Sequence, residues 1–312
     1  MTTGVVTIGE TMGLFTATAP GSRATDFRRG IGGAESNVAI GLARLGTPAT
    51  WVGRLGADGT GELVLRELRA EGVSSAAIID EGAATGLMVK TQPIAGRTRV
   101  EYHRSGSAGS RLHPGDIDAE LIRSARLLHV TGITPALSPT AAAAIDAALD
   151  IAEAAGIPIS FDVNHRPSLW RDDAFADVYT AIARRADIVF AGEDEAALFV
   201  HGSGPEGYAR AIADLGPAHV LVKLGADGCA GYVEGKTVRV AAVPVAAVDT
   251  VGAGDAFAAG YLSELLEGKD LDARLHTAVR AGALACLGYG DWESLPHRRD
   301  LDLMLPGDPV AR

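Results

Sequence analysis

Short apolar runs that alternate with Ala- and Leu-rich helical stretches limit the architectures open to this chain more than any other feature. Val5–Ile8, Ala49–Val52, Leu127–Val130, Ile157–Phe161, Ile188–Phe190 and Val220–Val222 are bounded by Gly, Pro or charge, as strands buried on both faces of a parallel sheet are. Between them, Ser36–Leu45, Gly61–Ala70, Pro139–Ala155, Asp173–Arg185 and Asp255–Leu266 place Ala and Leu at helical spacing, with charge on the remaining faces. The expected fold class is α/β, a three-layer sandwich with a mostly parallel central sheet covered by helices on both sides.

Met12–Phe27 and Thr85–His103 break the rhythm. In the second, TGLMVKT and RTRVEYH read as strands joined by a turn at Pro93–Gly96. Loop-like segments border both stretches, so segments of about 12–30 and 85–110 are expected to form a small β lid on a single domain spanning 1–312. The Pro-Gly tail after Leu305 is expected to fray.

With 312 residues and 47% hydrophobic content the chain can bury a large core. A formal net charge of −11 argues against a nucleic-acid or anionic-membrane partner. Cys229 and Cys286 lack CxxC spacing, so both are expected to be buried, reduced thiols. No basic leader precedes a long apolar run, and no stretch approaches the roughly 18 apolar residues of a membrane span, so a cytoplasmic location is expected.

Asp249-Thr250-Val251-Gly252-Ala253-Gly254-Asp255 follows the β-leaning run Val238–Val248 and opens an Ala-rich helix. Small residues at Gly252, Ala253 and Gly254 let backbone N–H groups point at an anion, and the positive end of the following helix adds to that field. Asp255, in the first turn, is placed to accept a proton from an incoming hydroxyl. A tight loop with an acidic cap is the plainer alternative. The chain has no GxxxxGK[ST], and His297-Arg298-Arg299-Asp300 lacks the elements that would make it a protein-kinase loop, so that string is expected to be solvated surface.

The segment matches, position for position, the DTxGAGD signature of the ribokinase-like (PfkB) sugar kinases, and the chain resembles that family elsewhere. Gly30-Ile31-Gly32-Gly33-Ala34-Glu35-Ser36-Asn37, followed by Val52-Gly53-Arg54-Leu55-Gly56, Asp58 and Gly61, is similar to its first signature. Gly192-Glu193-Asp194-Glu195 stands where the family has Asn-x-x-Glu, with Gly in place of Asn, and Lys223-Leu224-Gly225-Ala226-Asp227-Gly228 resembles its nucleotide loop. The resemblance implies a ribokinase-like fold and phosphorylation of a sugar hydroxyl by ATP. Asp255 would be the catalytic base, with Gly252, Ala253 and Gly254 as the anion hole. Lys223, Gly225, Gly228, Gly252 and Gly254 would bind nucleotide, and an adenine wall would lie in 278–290 near Val279. Glu195 would hold Mg²⁺ through water, and a monovalent cation such as K⁺ could sit near Asp249. An acidic helix start at Glu195, a β-turn at Lys223 and a capping role for Asn37 remain as local alternatives.

Tyr102-His103-Arg104 and Asp162-Val163-Asn164-His165-Arg166 place two arginines near the expected sugar pocket, where their forks suit a planar carboxylate. Ordinary salt bridges in an acidic protein are the alternative. YxRxGSAGS, Thr131–Ser138 and DVNxRxxLW are similar to the 2-keto-3-deoxygluconate kinases of the family. By that resemblance Gly33, Asn37, Tyr102, Arg104 and Arg166 hold a sugar acid, its product is the 6-phosphate, and a homo-oligomer forms through the lid. Met88 stands where relatives carry an aromatic. A fructokinase or ribokinase acting on a neutral sugar, and a non-catalytic sugar- or nucleotide-binding regulator, are the competing readings.

Overall fold

The computed structural model describes residues 3–21, 24–94, 97–170 and 173–304. The tail expected to fray and positions 95–96 of the expected turn lie outside the described residues. In chain order the strands are β1 (Thr3–Ile8), β2 (Met12–Ala17), β3 (Phe27–Gly32), β4 (Ala49–Gly56), β5 (Ser74–Asp80), β6 (Leu87–Ile94), β7 (Arg97–His103), β8 (Ala125–Thr131), β9 (Ile159–Asp162), β10 (Ile188–Gly192), β11 (His219–Lys223), β12 (Cys229–Val233) and β13 (Lys236–Val240).

Nine of them form one sheet in the order β13-β12-β11-β10-β9-β8-β1-β4-β5. Neighbours from β5 to β11 pair in parallel, and only β12 runs against the rest, making the β11–β12 and β12–β13 pairs antiparallel. Successive residues of a strand face opposite sides of the sheet, so each inner strand feeds two cores. Val5 and Leu127 pack on one side with the helices Ala34–Arg44, Ala253–Leu266 and Leu271–Ala285. Val6 and Leu128 pack on the other with Pro139–Ala155, Phe175–Ala183 and Gly204–Ala213. The six apolar runs are therefore continuous because both faces of these strands are covered. The longest helix starts on a Ser138 side-chain cap with Pro139 in its first turn and stops at Gly156, whose φ of 66° is left-handed.

Three strands of this sheet lie outside the six runs. β5 is the edge strand SSAAIID, whose side chains are mostly half-buried or exposed. β12 and β13 form a hairpin turned at Glu234 and Gly235, both at positive φ. The run expected to lean β through Val248 is strand only to Val240, because its partner strand begins at Cys229, opposite Val240.

The two interrupting segments come together as a second sheet, β3-β2-β6-β7, with β2 and β6 parallel and both outer pairs antiparallel. It has its own small core of Met12, Leu14 and Met88 with Val100 against it, and it overhangs the C-terminal ends of the parallel strands, where open α/β sheets present their ligand sites. Cys229 is buried, whereas Cys286 is only half-buried, because it stands at the helix end beside a groove. No helix among the described residues is long and apolar enough to cross a membrane.

Candidate active site

Gly252 precedes the helix Ala253–Leu266 with φ 78°, and a Cβ there would stand 1.9 Å from the Asp291 carbonyl oxygen. Both the torsion and the contact demand glycine. Gly252 and Gly254 line a cleft of about 350 Å³ beneath the small sheet. Ala253 turns its N–H toward the Thr250 carbonyl at 3.3 Å and lines a neighbouring groove of about 470 Å³ instead. Lys223, Thr250 and Gly254 belong to both, so the two spaces meet at the glycine turn.

Asp255 lies at the floor of the cleft, 7% exposed. Asn37 Nδ2 donates to its Oδ2 at 2.8 Å and Asn164 Nδ2 approaches its Oδ1 at 3.4 Å. Burial pushes the Asp255 carboxyl up to about 7; the Asn37 hydrogen bond opposes this, Asp162 adds to it, and Lys223 and Arg166 oppose it. A carboxylate with that pKa, facing a cleft beside a row of amides, can take a proton near neutral pH.

Lys223 Nζ is held by both Asp162 oxygens, at 2.8 and 2.7 Å. Burial works against its charge, but Asp162 and Glu195 outweigh that and raise its pKa, so it faces the junction of the two spaces as an ammonium. Gly225 and Gly228 have φ of 56° and 95°, and a Cβ on Gly228 would meet the Val240 carbonyl at 2.0 Å. Both line the larger groove, together with Val279, Gly282 and Ala283 from the helix Leu271–Ala285. That apolar wall lies within the 278–290 stretch singled out in the sequence.

Glu195 accepts the Gly192 N–H at 2.6 Å and the His165 N–H at 2.9 Å, and it lines the cleft. Gly192 therefore acts through its backbone, and the missing Asn side chain removes no contact seen here. Among the described residues no group of three or more His, Cys, Asp or Glu is placed to hold a metal ion. A lone carboxylate with each oxygen already engaged fits contact with Mg²⁺ through the ion's waters. Asp249 is engaged as well: Lys90 Nζ donates to its Oδ2 at 2.5 Å and Val251 N–H to its Oδ1 at 3.2 Å.

Gly33, Asn37, Tyr102, Arg104 and Arg166 all line the smaller cleft. A Cβ on Gly33 would stand 2.3 Å from the Glu10 carbonyl, so glycine lets two backbone segments close on each other there. The two arginines differ. Arg104 is 9% exposed, its Nε donates to Glu10 Oε2 at 2.7 Å, and its guanidinium lies 5.7 Å from the Tyr102 ring centre. Arg166 is half-buried and donates to the His165 carbonyl at 3.1 Å; among the described residues it has no carboxylate within ion-pair distance. Arg104 thus makes the salt bridge that the sequence left open as an alternative, and Arg166 does not. Met88 is buried in the small sheet's core while also bordering the cleft.

Sequence reasoning did not single out Glu10, Lys90, Asp162, Asn164 or Asp291. Asp162 and Asn164 stand inside the DVNxRxxLW match without being marked as site residues by it; in the structure Asn164 takes a left-handed φ of 41°, which Asn tolerates better than most residues. Glu10, Lys90 and Asp291 have no local mark, since Glu10 and Arg104 are 94 residues apart and Lys90 and Asp249 are 159 apart. The string at His297 is mostly exposed as expected, although Arg298 reaches back to Glu264 at 2.6 Å.

Residues 2–298 match the family model described as pfkB family carbohydrate kinase. A 2-dehydro-3-deoxygluconokinase of Bacillus subtilis is 38% identical over 309 residues, covering 95% of this chain and 93% of its own. One of Thermoproteus tenax is 34% identical over 96% and 94% of the two chains. A probable chloroplastic fructokinase of Arabidopsis thaliana is 33% identical over 94% and 79%. Among solved structures, a PfkB protein from Polaromonas sp. superposes with a TM-score of 0.88 at 40% identity over 96% and 99% of the chains. A putative ribokinase II from E. coli in complex with ATP and Mg²⁺ gives 0.90 at 26% identity over 97% and 98%. With the ribokinase-like fold in place and the glycine turn, Asn37 and Asp255 meeting in one cleft, the chain belongs to the pfkB family of carbohydrate kinases and is a sugar kinase.

Proposed function

We propose that the enzyme transfers the γ-phosphoryl group of ATP to the terminal hydroxyl of a 2-keto-3-deoxy sugar acid, with 2-keto-3-deoxygluconate as the substrate and its 6-phosphate as the product. The observation that carries the acid is Arg166, a guanidinium that borders the same cleft as Asp255 and makes no ion pair among the described residues. A neutral polyol offers nothing to compensate such a charge, whereas a carboxylate pairs with it through two parallel hydrogen bonds. The names of the B. subtilis and T. tenax relatives point the same way.

The sugar lies between Asn37, Tyr102 and Arg166, with ATP along the groove past Gly225 and Gly228. Asp255 takes the hydroxyl proton as that oxygen attacks the γ-phosphorus; the new O–P bond forms, the bridging bond to the β-phosphate breaks, and ADP leaves. Gly252 and Gly254 amides and the Lys223 ammonium stabilise the charge spread over the transferring group. Glu195 would hold the water shell of a Mg²⁺ ion, which would supply positive charge against the phosphates. The small sheet acts as a lid of the same folding unit. Phe27, Ile94 and Tyr102 on that sheet are 39%, 69% and 41% exposed, which supports pairing of two copies through it; a solution mass of twice the chain's 32.1 kDa is the expected result.

ADP release over 2-keto-3-deoxygluconate, fructose and ribose tests the substrate. The acid should be used with the highest kcat/KM, and preference for a neutral sugar would overturn the assignment. The Arg104–Glu10 pair favours that second reading, because it leaves one arginine without an ion pair among the described residues where the sequence offered two.

A further inference from the structure

The family resemblance carries an expectation of a monovalent cation beside Asp249, and the residues around Asp249 do not fit one. Both its oxygens are taken, one by the Val251 N–H and one by the Lys90 ammonium. Lys90 comes from β6 in the small sheet, is 3% exposed, and also lies 3.5 Å from Asp291 Oδ1. These two carboxylates flank the glycine turn. Asp249 opens it and anchors the Val251 N–H, while the Asp291 backbone carbonyl packs against Gly252 so closely that a Cβ would stand 1.9 Å away. Two buried carboxylates at such spacing need a cation between them, or one must take up a proton.

We propose that Lys90 is a built-in monovalent cation, a positioning residue whose ammonium takes the place of a bound potassium ion and holds the Gly252 and Gly254 donors through Asp249 and Asp291. The ammonium and potassium ions are alike in charge and similar in size, and a tethered cation loses less freedom on reaching its site than a free one. Because Lys90 belongs to the small sheet, the same contact ties that sheet to the phosphate end of the cleft. This inference rests on the glycine turn being the phosphoryl-transfer site, but not on which sugar is phosphorylated.

The test compares potassium chloride with tetramethylammonium chloride at equal ionic strength, using whichever panel sugar turns over fastest. Wild-type kcat and melting temperature should each be the same in both salts. Activation of the wild type by potassium of about fivefold or more, on the scale of losing part of one oxyanion donor, would overturn the proposal. In Lys90→Met, kcat should fall about 10- to 100-fold with both KM values nearly unchanged. Potassium or ammonium should then restore much of that loss and raise the variant's melting temperature, whereas tetramethylammonium should not. A loss that no cation restores would mean a packing role only and would also overturn it. If Lys90→Met does not fold, Lys90→Arg keeps the charge and should remain indifferent to potassium; potassium dependence there, or in the wild type, contradicts the proposal.

Discussion

At the phosphate end of the cleft, every functional group is already held by a partner within the fold. Gly252 is fixed by its torsion and by the Asp291 carbonyl, Lys223 is clamped by two oxygens of Asp162, and Asp255 is held by Asn37. At the sugar end, position is set by side chains reaching in from separate elements: Arg104 from the end of β7, Glu10 from the turn after β1, and Arg166 from the segment after β9. Arg104 is ion-paired there and Arg166, among the described residues, is not. The contrast explains how a family can keep one chemistry across many sugars. Changing the first end disturbs a turn that the transfer needs whatever the sugar, whereas changing the second exchanges one or two side chains on the same scaffold.

The contrast breaks most sharply at Asp255. Asp255→Asn should bind ATP with near-normal affinity and lower kcat by about 10²- to 10⁴-fold, the range of a lost general base; isothermal titration and ADP release measure the two halves. Gly252→Ala should follow with a fall in kcat of about 10²- to 10³-fold, as for loss of an oxyanion donor, because the new methyl group must displace Asp291. Neutral and acidic sugars should suffer alike.

Arg166→Met should act differently. It should raise KM for a keto-deoxy sugar acid about 10- to 100-fold, the worth of one charge-assisted contact, and leave kcat for a neutral sugar nearly unchanged. An equal loss on both substrates would erase the distinction between the two ends.

The remaining effect is on stability. The Asp255 carboxyl has its pKa raised by burial to about 7 in the folded chain, above its ordinary value of 3.8. Between those values the folded state holds a proton that the unfolded chain has released, so the favourable contribution shrinks as pH rises and is gone above about 7. Asp255→Asn should therefore melt higher than the wild type, by a margin that grows from pH 5 to pH 8 in thermal scans.

How much of this was legible in the sequence follows the same division. The buried strands announced themselves because covering both faces makes a strand apolar throughout, and Asn37 and Asp255 stood in contiguous motifs. β5 and the β12–β13 hairpin gave no such signal: an edge strand and an antiparallel hairpin mix polar and apolar residues. At the sugar end the sequence offered Arg104 and Arg166 as equals. Only the fold, by bringing Glu10 across from 94 positions away, made them different. Lys90 was hidden for the same reason, since nothing near it in the chain resembles the carboxylates it serves.

Asp255 as the base, at the meeting point of the two ends, faces its sharpest test in the pH dependence of wild-type kcat/KM on the preferred sugar, which reports the free enzyme's group. On the acid side kcat/KM should rise about tenfold per pH unit, bend near the raised value of about 7 and level off above it. A kcat/KM that stays flat from well below that value to well above it would contradict the assignment.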